Sequence, residues 1–257
     1  MGRTSPRLRA LAKEVAHRYP HLGDPDGRIA AGEVLVNRFP RTNPRSLVGA
    51  DDSIVLRRPK PLRGMAKLSH ALRVFDVSPG GRVALDLGAS AGGFTQALLD
   101  AGASRVYAVD VGHGQLLGSL RQDPRVVNLE RTNLADLNGS LVPETVQLVS
   151  IDLSYLSLAS ALLQLLQLRI QPTADLIALV KPAYELGLPA PPTDDRLLTA
   201  AIAHAADGLL ASGWKVMATV RSPVLGRRGA IEFLVHARNA STRRQHESTH
   251  RVPHLLR

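Results

Sequence analysis

Apolar and polar positions follow two periods along this chain. Between residues 82 and 238, short apolar runs closed by glycine or polar residues alternate with stretches of helical spacing. RVALDLG (82–88) and RVYAVDV (105–111) predict strands, as do segments at 126–129, 146–152 and 176–180. GGFTQALLDAG (92–102) predicts a helix closed by a glycine, and further helices are expected at 115–121, 157–168 and 194–211. Alternation of this kind implies an α/β fold, a parallel sheet with helices on both faces. Two last β-like runs, 214–222 and 230–238, are joined by a basic, glycine-containing turn too short for a crossover helix, so they are expected to pair antiparallel. The longest uncharged run, 153–168, is short for a membrane span and contains serines and glutamines, which suits a buried helix.

A mostly parallel sheet that ends in an antiparallel hairpin is the layout of Rossmann-like S-adenosylmethionine-dependent methyltransferases; the ordinary dinucleotide fold has no such ending. The local sequence agrees. In ALDLGASAGGFTQALL a strand carries Asp86, and Gly88, Ala89, Ser90, Gly92 and Gly93 then open a helix that begins with Phe94. Glycines there let the backbone pass close to a ligand at the carboxyl ends of the strands. Ser90 stands where the second glycine of G-x-G-x-x-G would be, which disfavours a pyrophosphate grip and suits S-adenosylmethionine. Asp110 ends the next strand, 24 residues after Asp86, where a carboxylate can accept both hydroxyls of a ribose. Glycine-rich strand-to-helix turns occur in many α/β folds, so the motif gains weight only from this agreement.

Composition narrows the picture further. The chain has 257 residues and no cysteine, which excludes a disulfide framework, a thiolate nucleophile and a cysteine zinc site. It carries a net charge of +10, placed unevenly. Residues 1–67 hold 14 basic and 6 acidic residues, whereas residues 68–238 hold 14 and 15. A neutral body with a basic front suits a polyanionic partner, nucleic acid above all; a general solubility bias is the alternative. Three regions are expected: a basic unit at 1–60, the α/β domain at 61–238 behind the linker RRPKPLRG (57–64), and a polar, disordered tail at 239–257. His246, His250 and His254 in that tail are spaced by fours, but disorder is the expectation there and no metal is expected. The N-terminus has no apolar core of signal-peptide length, and Pro6 breaks the myristoylation pattern begun by Gly2, so a cytoplasmic protein without membrane attachment is expected.

The strings RGMAKLSHAL, LDLGASAGGFTQALLDAGASRVYAVDVGHGQL, LRQDPRVVNLERTN, DLSYLSLASALL and LVKPAYELG, with the IEF of the last run, together resemble the TlyA (hemolysin A-like) family of ribosomal RNA 2′-O-methyltransferases, which share the FtsJ-type catalytic domain. The resemblance spans about 63–233. It implies a Lys-Asp-Lys-Glu tetrad at Lys67, Asp152, Lys181 and Glu232, with S-adenosylmethionine as cofactor and ribosomal RNA or a ribosomal subunit as partner. The four residue types suit the chemistry. A ribose 2′-hydroxyl is a poor nucleophile and needs a base or a cation. Lysine is ordinarily a poor base at neutral pH, but two lysines brought close favour the neutral form of one, with the carboxylates holding them in place. Lys181 is the candidate for activating the hydroxyl, Lys67 for orienting or polarising substrate, and Asp152 and Glu232 are orienters. Asp152 is also assigned to the cofactor site. Asn133 matches a family position at the adenine end of the cofactor; a turn residue is its other reading. Tyr184 and Glu185 fall on an aromatic–Glu pair of the family, and Ser154 and Tyr155 either line the pocket or pack. DLSY also approaches the D-P-P-Y string of base N-methyltransferases, but Leu153 and Ser154 replace both prolines.

At the front, GRIAAGEVLVN and NPRSLVGADDSIVL resemble the second half of a small alpha-L RNA-binding fold. The first half, RLRALAKEVAHRYPHLGDPDG, departs from the family pattern. Arg7, Arg9, Lys13, Arg18 and Arg28, with Arg63 beyond the linker, are the expected phosphate contacts; a solvated basic helix is the alternative. Only nine aromatic residues are present, so recognition by shape and phosphate is expected rather than base stacking. After KPAYELG the family's glycine-rich loop is replaced by LPAPPTDD, which bears on substrate choice or activity. An RNA-binding protein that keeps the fold with little catalysis is therefore the second expectation. The family name also suggests membrane lysis, which no amphipathic or spanning segment supports.

Overall fold

The computed structural model describes residues 8–30, 32–57 and 62–240. Arg7, residues 58–61 of the linker and the tail histidines lie outside the described residues.

The described residues up to 57 form a small layered unit. Its elements are β1 (Arg9–Ala10), α1 (Leu11–Arg18), α2 (Pro25–Ala30), β2 (Val34–Val36), β3 (Phe39–Arg41), β4 (Leu47–Val48) and β5 (Ile54–Leu56). β2 lies between β3 and β5, antiparallel to both, and β1 pairs with β4. Leu11, Val15, Ile29, Val34, Val36, Val48 and Ile54 make a separate apolar cluster. Three side chains expected to meet phosphate are also tied within this unit. Arg18 donates to Glu14 Oε1 (2.8 Å), Asp52 O (2.8 Å) and Ala50 O (3.0 Å). Arg9 pairs with Glu14, and Arg28 with Glu33. Lys13 is exposed.

Beyond it come α3 (Arg63–Val74), β6 (Val83–Leu87), α4 (Gly93–Asp100), β7 (Arg105–Asp110), α5 (Gly118–Gln122), β8 (Val126–Glu130), β9 (Val146–Ile151), α6 (Leu158–Leu163), β10 (Ile170–Val180), α7 (Pro182–Glu185), α8 (Asp195–Ala211), β11 (Trp214–Arg221) and β12 (Phe233–Asn239). Seven strands form one sheet in the order β11-β12-β10-β9-β6-β7-β8. β12 alone is reversed, antiparallel to both β10 and β11, as the short connection requires. The order of strands reverses between β6 and β9, so the crevice beyond their carboxyl ends is the place where such a sheet binds ligands. Apolar clusters cover both faces, one around Leu85, Val149 and Leu176, the other around Leu68, Leu98 and Ile177. The small unit rests on this body through α2 and α5.

Three expected boundaries move, each for a local reason. β10 starts at Ile170 rather than 176, because its first four residues are exposed or half-buried and lack an apolar run. α6 covers only Leu158–Leu163 and is amphipathic rather than buried: Leu163 is 61% and Leu166 79% exposed. α5 starts at Gly118, because the N–H groups of Gln115 and Leu116 are taken by Glu130 Oε1 (2.6 and 3.0 Å). Burial alone would raise the Glu130 carboxyl, but these donors, with Asn128 and Arg121, pull it down to about 2. α8 begins where expected, with Asp194 capping the N–H groups of Arg196 and Leu197.

Candidate active site

Four strand ends, those of β6, β7, β9 and β10, bring the site together. Asp86 sits within β6, fully buried, and its carboxylate accepts from Thr95 Oγ1 (2.6 Å) and Ser150 Oγ (2.8 Å). It thereby ties β6 to α4 and β9. Burial, aided by the nearby Asp152 charge and opposed by the two hydroxyls, pushes its pKa up to about 6. A raised carboxyl pKa means that the folded state holds the proton more tightly than the unfolded chain. Stability contributed by this group is therefore present at low pH and lost as pH rises from about 4 to about 6. Asp86→Asn removes that slope, worth roughly 3 kcal/mol at most on the rule of 1.36 kcal/mol per pKa unit. Urea midpoints of the two proteins compared at pH 4.5 and pH 7 measure it; equal slopes would sink this assignment.

After β6 the chain turns at Gly88, whose φ of +84° favours glycine. A Cβ there would stand 2.5 Å from the Asp152 carbonyl oxygen, so the β6 turn and the end of β9 touch backbone to backbone. Ser90, also at positive φ, donates its N–H to Asp110 Oδ2 (2.9 Å), and Gly112 N–H reaches Asp110 Oδ1 (2.7 Å). The carboxylate at the end of β7 is thus held by one donor on each oxygen, and each oxygen keeps a lone pair for a hydroxyl. Gly88, Asp110, Thr132, Leu134, Leu153 and Tyr155 line the cleft over this point.

Some expected contacts fall elsewhere. Phe94 is 3% exposed, inside the core with Leu68 and Leu98. Gly93 is where α4 crosses α3: a Cβ on it would stand 2.9 Å from Gly64 Cα. Ala89 is buried and Gly92 is the residue just before α4, at its N-cap. Asn133 accepts from Ala135 N–H and caps a short 3₁₀ turn at Leu134–Asp136, while its neighbours Thr132 and Leu134 face the cleft. Local pattern does not disclose Thr95, Ser150, Gln115 or Glu130, which orient these groups from other elements. The place of Thr95, in the first turn of α4 and nine residues after Asp86, is the only hint.

The four tetrad residues form two ion pairs. Lys181 Nζ lies 2.7 Å from Asp152 Oδ1, joining the ends of β10 and β9. Lys67 Nζ lies 2.5 Å from Glu232 Oε2, joining α3 to the start of β12, with both side chains almost wholly buried. Pro182 at the first position of α7 fixes the turn after Lys181. The ring of Tyr184 comes under Lys181 Nζ, 5.9 Å from its centroid. Glu185 is buried and turns away from the lysine: it accepts from Leu158 N–H (2.9 Å) at the start of α6 and lies 3.2 Å from His204 Nδ1. It thereby anchors the 153–157 loop that follows Asp152. An open groove of about 430 Å³ runs between Ala66, His70 and Arg73 of α3 and Pro223–Val224. Arg63 is exposed at the start of α3.

This sheet, with β12 reversed and a carboxylate held by two backbone N–H groups at the end of β7, has the layout of an S-adenosylmethionine-dependent methyltransferase. A family described as FtsJ-like methyltransferase matches residues 62–239, and the chain belongs to that family. Among curated relatives, the 16S/23S rRNA (cytidine-2′-O)-methyltransferase TlyA of Mycobacterium tuberculosis is 39% identical over 227 residues, 84% of this chain and 83% of that protein. Among solved structures, a hemolysin-named protein from Lactococcus lactis superposes with a TM-score of 0.65 at 33% identity over 69% of this chain and 88% of its own. A second, from Streptococcus thermophilus, covers 92% of this chain and 90% of its own, with a TM-score of 0.62 and 29% identity. Among the described residues no helix is long and apolar enough to cross a membrane. The donor set fits S-adenosylmethionine: Asp110 suits its ribose hydroxyls, and the half-apolar wall of Leu134, Leu153 and Tyr155 suits its adenine.

Proposed function

We propose that this protein transfers a methyl group from S-adenosylmethionine to a ribose 2′-hydroxyl of ribosomal RNA. The carrying observation is the juxtaposition of Lys181 and Asp152 at the ends of neighbouring strands, across the Gly88 turn from Asp110. When bound, the cofactor supplies an electrophilic methyl on a sulfonium. Lys181 Nζ would take up the hydroxyl proton as the O–CH₃ bond forms and the S–CH₃ bond breaks. Asp152 then shares the ammonium charge that results. Lys67, held by Glu232 in a nearly closed ion pair, takes the role of orienting the ribose or its phosphate in this reading.

In this reading residues 1–60 form an alpha-L-type RNA-binding unit, residues 61–238 the methyltransferase domain and residues 239–257 a basic tail. The partner is a ribosomal subunit or its RNA, encountered in the cytoplasm.

The test is transfer of labelled methyl from S-adenosylmethionine to unmodified ribosomal subunits, followed by alkaline hydrolysis. Alkaline cleavage needs a free 2′-hydroxyl, so the expected product is an alkali-resistant dinucleotide that gives the position. Label on a base would retain the fold and overturn the roles given to the lysines. Label on neither subunit, with cofactor still bound, would favour an RNA-binding protein with little catalysis. Asp110→Ala is expected to weaken cofactor binding by roughly tenfold or more, since two charge-assisted hydrogen bonds are lost. Isothermal titration of S-adenosylhomocysteine reads this directly, and an unchanged affinity would remove Asp110 from the cofactor site.

A further inference from the structure

The β2–β3 hairpin carries features that the methyltransferase site leaves unused. Its tip, Asn37-Arg38, has both residues at positive φ (+52° and +72°), the signature of a type I′ turn. Glycine is the ordinary residue at the second position, yet an arginine stands there. Phe39 follows, 69% exposed, the most exposed aromatic side chain among the large apolar residues on the described surface. Every residue from Asn37 to Asn43 is exposed, and β3 is an edge strand.

The register shows how the strand presents its side chains. Phe39 pairs with Val36 and Arg41 with Val34, so Phe39 and Arg41 project on one side of the sheet, two residues apart. Arg38 precedes them at the tip and Arg45 follows. Between Val36 and Val48 there are three arginines and no acidic residue. None of Arg38, Arg41 and Arg45 has a side-chain hydrogen bond or ion pair among the described residues. That contrasts with Arg9, Arg18 and Arg28, which are tied to carboxylates or carbonyls of their own unit.

The hairpin is also braced. Asn37 Nδ2 donates to Asp52 Oδ1 (2.7 Å), and Ser53 N–H donates to Asn37 Oδ1 (3.0 Å). Asp52 Oδ2 accepts from Gly49 N–H (2.7 Å), and Arg18 grips the carbonyls of Ala50 and Asp52. Arg18 therefore fixes the loop that fixes the tip. An exposed aromatic on such a pinned strand gives up little freedom when a ring stacks on it.

We propose that this hairpin is a binding site for an unpaired stretch of the RNA substrate: Phe39 stacks on a base, with Arg41 beside it, and Arg38, Arg41 and Arg45 neutralise the flanking phosphates. Every base offers a ring face, so the contact tolerates sequence, while the arginines supply the attraction to the backbone. A strained arginine at the tip is accounted for by a contact made outside the chain. The proposal rests on RNA being the substrate, and it replaces the front-end helices with the hairpin as the main contact surface of the small unit.

The test uses the full chain and an unmodified, transcribed ribosomal RNA that the parent protein methylates. Binding is measured by filter retention over a series of salt concentrations, alongside methyl transfer at saturating RNA. Phe39→Ala is expected to weaken binding roughly tenfold with the salt slope unchanged, and Phe39→Trp to restore it. Arg38→Gln with Arg41→Gln is expected to flatten the slope of log affinity on log salt by about 2. Transfer at saturating RNA stays at the parent rate in all three, because none touches the Lys181 site. Binding of these variants within twofold of the parent, with methylation intact, overturns the hairpin alone. A parent that binds and methylates no RNA overturns the hairpin and the proposed function together.

Discussion

Alanine at position 181 is expected to lower methyl transfer to ribosomal RNA by roughly 10³-fold, the middle of the range for a lost general base, or about 4 kcal/mol in the barrier. The loss falls on the rate at saturating RNA rather than on KM, because the proton moves only in the transition state. Folding changes little. Lys181 and Asp152 keep 17% and 23% of their side-chain surface exposed, so water can solvate a carboxylate left alone. The informative companion is Lys181→Arg. Arginine keeps the positive charge beside Asp152 and above Tyr184 but accepts no proton. If Lys181 acts as the base, the arginine protein is as inactive as the alanine protein. If arginine keeps more than a tenth of the rate, Lys181 works by charge alone and the proton leaves by another route. Single-turnover transfer with enzyme in excess separates these outcomes from slow product release.

How far the sequence discloses this molecule depends on how local each signal is. β6, β7 and β9 lie within one or two residues of their expected bounds, because each is a nearly continuous apolar run closed by a glycine or a polar residue. The reversed β12 follows from a connection too short to cross the sheet. β10 was legible only in part: its half-buried or exposed first residues, Ile170–Thr173, carry no apolar pattern, and only Ile170 among them pairs with β9. The same division runs through the site. Asp86, Asp110 and the tetrad residues stand at motif positions that can be read locally. The pairing of Lys181 with Asp152, and of Lys67 with Glu232, comes from the meeting of elements 29 and 165 residues apart. Arg18 shows the opposite failure. Its charge is visible in the sequence, but its acceptors, Ala50 and Asp52, lie across the unit, and only the fold turns an expected phosphate contact into a brace. Phe39 was hidden by composition: a chain with nine aromatics discourages a stacking argument until the exposure of one of them is known.

The Lys67–Glu232 pair carries the largest expected effect on stability. Both side chains are at most 8% exposed, and the ammonium and carboxylate are in direct contact. Removing one partner of such a pair strands a charge in a place water does not reach, at a cost of roughly 3–5 kcal/mol. Glu232→Gln is therefore expected to lower the melting temperature by roughly 10 °C, on the usual 2–4 °C per kcal/mol for a domain of this size. The surroundings offer no easy relaxation. Glu232 Oε1 lies against the Gly226 backbone, where a Cβ would overlap it, so the carboxylate is enclosed by its own loop. Replacing both partners, with Lys67→Met and Glu232→Gln together, removes the stranded charge and is expected to recover most of the lost stability. Methyl transfer by that double variant is expected to stay low, because no ammonium then faces the ribose. Thermal melts of the parent, the two single variants and the double variant form a complete cycle. A coupling near zero would mean that the two charges are solvated separately and that the pair does not hold α3 against β12. Recovered stability together with recovered activity would leave the pair as a structural strut and remove Lys67 from the catalytic set.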